Sequence, residues 1–160
     1  PLGMTDTSFH VPSEKLDRLP PDHGPDFAPI DDGLWTEPPI FPSGAGGLVS
    51  TLGDWHLFGR MLLAGGGGLL SPQSVHLMTT DHLTQEQRHA SMLFLEGAGW
   101  GFGGAVAPDD RYGWVGGTGT TAHVAPSTGT IGILLTQLQM TGPTPTQFMR
   151  EFWQYAFGPF

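Results

Sequence analysis

The sequence predicts an α+β fold, an antiparallel sheet flanked by helices. Three observations carry this. Hydrophobic residues form 38% of the 160, enough to build a core. Apolar residues at helical spacing gather between about residue 51 and 78 and again at the end of the chain. From Ala98 onward the pattern changes to alternating or continuously apolar runs cut by glycine and turn pairs, the signature of strands. Helices and strands that occupy separate stretches belong to α+β architectures, whereas parallel α/β sheets interleave them.

The elements follow in order. Residues 1–46 hold most of the fifteen prolines and read as an irregular arm, with a short helix around Ser13–Leu19. The arm's Phe9, Phe27, Ile30, Leu34, Trp35, Ile40 and Phe41 make it too aromatic for a free linker, so it should lie on something. Residues 47–97 form a helical segment. Thr51 and Asp54 give a capping pattern, after which Leu52, Trp55, Phe58, Gly59 and Leu62 share one helical face. Gly65–Gly68 ends that helix, and Ser71-Pro72 opens another with Val75 and Met78 inward. Thr84–His89 reads as a polar stretch. Residues 98–160 supply about three antiparallel strands and a last helix. Gly99–Val106 alternates small and large residues, Asp109-Asp110 turns, Tyr112–Val124 is a glycine-rich strand pair or bulged strand, and Pro126–Gly129 turns again. Thr130–Gln137 reads as a strand buried on both faces, and Thr144-Pro145 as the cap of a final helix whose aromatic side covers the sheet. All three segments are parts of one incomplete domain.

Composition excludes several functions. Six Lys+Arg against fifteen Asp+Glu give a net charge of −9, which argues against a nucleic-acid or anionic-membrane partner. No cysteine is present, so disulfides, thiol catalysis and cysteine-held metals are out. No asparagine is present either. No apolar run is long enough to span a bilayer. Pro1-Leu2-Gly3-Met4 is not a signal peptide, and with Met4 inside it the chain reads as a fragment. The compartment is open, with the cytoplasm favoured.

G-x-S-x-G is absent. Gly65–Gly68 leads into Leu69-Leu70, not the Lys-Ser/Thr of a phosphate loop. Gly99, Gly101 and Gly104 spell G-x-G-x-x-G but open no helix. His76, His82 and His89 lack the i,i+4 spacing of a helical metal site, and scattered surface histidines explain them better. No metal and no cofactor are expected. The pairs Asp31-Asp32 and Asp109-Asp110 are sequence neighbours that point apart, which suits turns better than acid–base work. The most informative run is Gly113–Thr120, with four glycines in seven positions. Glycine weakens a strand, so it marks tight backbone packing or the approach of a ligand. Both readings fit.

Read together, several segments resemble the serine β-lactamase-related family, which includes class C β-lactamases, D-Ala-D-Ala carboxypeptidases and family VIII-type esterases. They are Pro1-Leu-Gly-Met-Thr-Asp-Thr7, the run Phe41–Thr51 with the helix carrying Trp55, Phe58 and Met61-Leu62, Gly99-Trp-Gly-Phe-Gly103, and Trp114-Val115-Gly116. The likeness runs over nearly the whole chain and is to the C-terminal half of the family's β-lactamase/transpeptidase-like fold. It implies a nucleophilic Ser and a Lys in a Ser-x-x-Lys motif and a Tyr-x-Asn motif. Neither is here: Lys15 is the sole lysine, Pro12 stands where its serine would be, and there is no Asn. Family members carry both upstream of the Pro-Leu-Gly-Met segment. The resemblance therefore implies the C-terminal part of a serine hydrolase that works through an acyl-enzyme. Its nucleophile would lie on a missing N-terminal part. A non-catalytic β-lactamase-like binding or scaffold protein is the rival.

The same match gives roles to residues. Trp114, Val115 and Gly116 stand where the family has Lys-Thr-Gly or His-x-Gly and would bind substrate. Gly117 N–H would help hold the oxyanion, with glycine leaving room for the acyl group. An indole and an isopropyl group cannot grip a carboxylate as Lys and Thr do, so a neutral acyl substrate, an ester favoured over a penicillin, is expected. Ala125-Pro126 replaces the family's Asp-Pro. Because the family's sheet takes strands from both chain ends, the resemblance also implies an open sheet face. That face would be met by the complementary N-terminal half or by self-association.

Overall fold

In the computed structural model, which describes residues 1–158 apart from 25, 31, 32 and 34, the expected antiparallel sheet is formed and flanked by helices. The Asp31-Asp32 pair and Leu34 lie outside the described residues. The arm carries a two-stranded ribbon, β1 (Asp22–His23) and β2 (Pro29–Ile30). Four helices follow: α1 (Leu52–Leu63), α2 (Pro72–Met78), α3 (Gln85–Ala90) and α4 (Met92–Leu95). A meander of five strands comes next, β3 (Gly99–Trp100), β4 (Ala105–Val106), β5 (Tyr112–Gly116), β6 (Thr120–Ala125) and β7 (Thr130–Leu135), paired in chain order. Helix α5 (Gln147–Phe157) closes the described chain.

The sheet lies between two helices. Gly59 of α1 sits where a Cβ would press on Ile131 and Val124, while Phe157 of α5 lies over Gly132. Neighbouring strand residues point to opposite faces, so α1 and α5 cover opposite sides. Met61, Leu62, Val75, Tyr112 and Val124 form the core on the α1 side, joined by Leu2 from the chain start. Val124 and Met149 are almost wholly buried, each contributing about 1.5–3 kcal/mol.

Several elements differ from the sequence reading. The polar stretch Thr84–His89 is largely helical: Thr84 and Gln87 close a capping box over α3, a helix whose residues all remain in contact with water. Gly99–Val106 is two short strands, because the chain reverses at Gly101–Gly104 through Gly101 N–H donating to Gly104 O. β7 stops at Leu135 and is half-buried despite a helix on each face, since it is the edge of the sheet. α5 is capped by the Thr146 hydroxyl, which accepts from Met149 N, and not by Thr144. On α1, Met61 is buried in place of Leu52, which is 57% exposed. The aromatic side of α5 covers the sheet only in part, leaving Phe148 and Tyr155 in water.

The arm is docked, as its composition demands. Asp54, buried in the first turn of α1, accepts from Asp6 N–H and from Thr7 Oγ1, both at 2.8 Å. Lys15 and Arg18 of a 3-10 turn (Ser13–Arg18) pair with the Asp6 carboxylate, which those side chains hold down to a pKa of about 2. His23 N–H donates to Gln137 O, and Gln139 N–H to His23 O, tying β1 to the segment after β7. Phe27, Ile40 and Phe41 stay exposed. Asp54→Ala orphans the Asp6 N–H and should cost about 2–3 kcal/mol. Urea unfolding and limited proteolysis check this. Unchanged stability together with unchanged cleavage within residues 1–19 would contradict it.

Candidate functional site

β5 has two unlike sides. Its inner side pairs with β6 along its full length, from Tyr112↔Val124 to Gly116↔Thr120. On the other side β4 reaches only Tyr112 and Gly113. Among the described residues, Trp114, Val115 and Gly116 therefore have no strand partner on that side. An edge of this kind offers main-chain donors and acceptors to a ligand.

The glycines of this run have different causes. At Gly113 a Cβ would strike the Ala122 carbonyl and His123 of the adjoining strand, so tight packing requires glycine. Gly119 has φ +83° in the turn, with its N–H donating to Gly116 O and its carbonyl accepting from Thr136 Oγ1. Gly117 is different: it is exposed, and no described atom lies within 4 Å of where its Cβ would be. Its carbonyl accepts from Met140 N at 2.8 Å, which holds the turn. Its N–H donates to no acceptor among the described residues.

Trp114 is half-buried. Its ring meets Trp100 edge-on at 4.7 Å and tilts against Phe94 of α4 at 5.3 Å. Trp114 and Val115 both line a cavity of about 310 Å³ between the sheet, α4 and α5. The predicted residues thus separate into two places, Trp114 and Val115 on the cavity wall and Gly116 and Gly117 at the end of the strand.

The cavity also holds residues that the sequence reading passed over. His123 points at it from β6, edge-on to Trp153 of α5 at 5.1 Å. Trp153 Nε1–H donates to Thr121 Oγ1 at 3.2 Å, and that hydroxyl is 3.1 Å from His123 Nδ1. The Thr121 hydroxyl can donate to Nδ1 of a neutral ring whose proton is on Nε2. Burial, with the nearby Arg111 charge, pushes His123 down to about 3. Arg111 is paired with Asp109 at 2.6 Å and faces the rings of Trp153 and Phe157. Burial lowers its pKa too. The one available signal was period: Thr121 and His123 are two apart on a strand and so share a face.

Ser50 and the lysine are engaged elsewhere. Ser50 Oγ bonds the Thr7 hydroxyl beside Asp54, and the Lys15 amine is held by Asp6. His82 stacks on Phe102, with Nε2 at Leu77 O.

Protein Rv1367c and the uncharacterized protein MT1414, both of Mycobacterium tuberculosis, are each 35% identical over 170 aligned residues, covering 86% of this chain and 40% of their own length. Among solved structures, the hydrolase EstCE1 superposes with a TM-score of 0.79 at 23% identity, covering 99% of this chain and 48% of its own. A LovD6 mutant of simvastatin synthase from Aspergillus terreus gives 0.80 at 20%, covering 95% and 44%. A penicillin-binding protein homologue from Pyrococcus abyssi gives 0.64 at 18%, covering 98% and 34%. The chain therefore spans less than half the length of these relatives. The β-lactamase family model matches residues 1–151, nearly the whole sequence, and the chain belongs to that family.

Proposed function

We propose that this chain is the C-terminal part of a serine hydrolase that works through an acyl-enzyme, of esterase type on neutral acyl substrates. Its nucleophilic serine and partner lysine would lie on a preceding stretch of polypeptide. The observation that carries the reading is the Gly117 N–H: exposed, without an acceptor among the described residues, at the end of a strand whose outer side no described strand pairs beyond Gly113. In such a mechanism the serine oxygen attacks the ester carbonyl and passes its proton to a neighbouring base. The carbonyl oxygen gains negative charge, and a fixed N–H aimed at it lowers the barrier. The alkoxide then leaves with the proton, and water releases the acid. EstCE1, which shares the fold, is described as a hydrolase with promiscuous acyltransferase activity.

Trp114 and Val115 give the substrate preference. Neither can pair with a carboxylate, which is what Lys-Thr would do in their place. The expected outcome in the intact protein is faster turnover of short-chain p-nitrophenyl esters than of cephalosporins, and covalent labelling by a fluorophosphonate on a residue outside this chain. Labelling of Ser43 or Ser50, or a preference for cephalosporins, refutes it.

The edge of β7, unpaired among the described residues, supports a complementary N-terminal half as partner, with self-association through the open sheet as the substitute in the isolated chain. One observation favours a second reading, a non-catalytic scaffold. Ile40, Phe41 and Tyr155 stand almost fully exposed, as residues awaiting a partner would. The upstream coding sequence decides: Ser-x-x-Lys and Tyr-x-Asn support the enzyme, and their absence supports the scaffold.

A further inference from the structure

The geometry points to the cavity of about 310 Å³ behind Trp114 and Val115 as the pocket for the apolar tail of the acyl group, a medium-chain aliphatic or aryl acid esterified to a small alcohol. This rests on the serine-hydrolase reading above. Four observations converge. Trp114 and Val115, which no described strand pairs on the outer side of β5, line the cavity wall. Val115 lies two residues before Gly117, which at about 3.3 Å per residue puts the wall about 7 Å from the oxyanion donor, within reach of a short chain leaving the carbonyl. Its volume falls at the lower end for small-ligand sites, about 300 Å³ and upward. Phe94 sits on its border in ring contact with Trp114 and yet remains 49% exposed, an apolar surface that a bound chain would cover.

The chemistry of the lining selects the ligand. Ala98, Ala105, Val115, Trp114 and Trp153 present carbon to the space. The charged groups that border it carry counter-ions: Arg150 pairs with Glu96 at 2.7 Å, and Arg111 with Asp109. His123 is neutral across the physiological range. A free carboxylate or phosphate would have to displace one of those partners, whereas a hydrocarbon tail displaces only water. The pocket therefore takes the uncharged end of the substrate and leaves the carbonyl at the strand end.

Two measurements on the intact protein test this, a p-nitrophenyl ester series from acetate to octanoate, and calorimetric binding of p-nitrophenyl alkyl ethers of the same lengths, which cannot be hydrolysed. Ether affinity should rise about three- to fourfold per methylene until the pocket is full. Ala98→Phe fills the cavity and should lower the octanoate-to-acetate ratio of kcat/KM at least tenfold. Phe94→Ala, at an exposed position that does not threaten folding, should lower it several-fold. Ester turnover with a ratio and ether affinities untouched by both variants overturns the pocket and leaves the hydrolase reading standing. Length-dependent ether binding that Ala98→Phe abolishes, without any ester turnover, sustains the pocket and sinks the hydrolase reading. Ether binding with no dependence on chain length overturns the pocket in either case.

Discussion

On the proposed reading, Gly117→Pro in the intact protein should fall about 10²- to 10³-fold below Gly117→Ala in kcat, since alanine crowds the acyl group but keeps the N–H. Both substitutions add carbon at the same place, but only proline deletes the N–H. For the Cβ that both variants share, no described atom lies within 4 Å, and the residue is outside the left-handed region. The preceding Gly116 has no Cβ to clash with the proline ring. The difference between the variants therefore isolates one hydrogen bond to the developing oxyanion, worth about 3–4 kcal/mol in the transition state. It should appear in kcat more than in KM, because the charge is absent from the bound ester. Matching melting temperatures for the two variants exclude a folding defect as the cause. Equal activities would remove Gly117 from the oxyanion hole.

How far the sequence foretells this arrangement depends on the distance over which each feature is decided. Thr51 and Ser71 cap their helices as expected, because a cap is a contract between residues three apart. Tyr112–Val124 reads as a strand pair or a bulged strand, and the structure forms the pair, turning between Gly116 and Thr120. Thr144-Pro145 imitates Ser71-Pro72 in spelling, yet Thr146 takes the cap, since its hydroxyl rather than that of Thr144 receives Met149 N–H. Helix α3 has no fully buried residue, so no apolar period announces it, and its capping box is the single local clue. The cavity is decided at long range. It exists because β4 stops after two residues and because α4 and α5 meet across it, joined by Glu96 and Arg150, 54 positions apart. Periodicity carries no information at that separation. The glycine run shows both regimes at once: Gly113 is glycine because of its neighbour strand, whereas nothing in the described fold asks for glycine at Gly117. A residue that packing does not explain is where a functional cause is sought.

Acid should destabilise the fold through His123 before it reaches most carboxylates. In the folded chain the ring is buried beside Arg111 and titrates at about 3, against an ordinary 6.5. Between those values the unfolded chain binds a proton that the folded chain refuses, so stability rises with pH across that window. The contribution is complete above about pH 6.5 and is lost at up to about 1.4 kcal/mol per pH unit as the pH falls toward 3. Asp6 does not confuse the upper part of this range. Its pairing with Arg18 and Lys15 lowers it from 3.8 to about 2, so its own contribution is lost only below about pH 4. Urea unfolding between pH 7 and 4 should therefore show a slope that His123→Gln removes, since an amide keeps a polar group beside Thr121 and cannot be protonated there. The variant should be less stable than the parent at pH 7, for the lost contact with Trp153, and draw level with it as the pH falls. Parallel curves for the two proteins would mean that the ring is accessible to protons in the folded state, and that the Thr121–His123–Trp153 cluster opens to water far more readily than its burial allows.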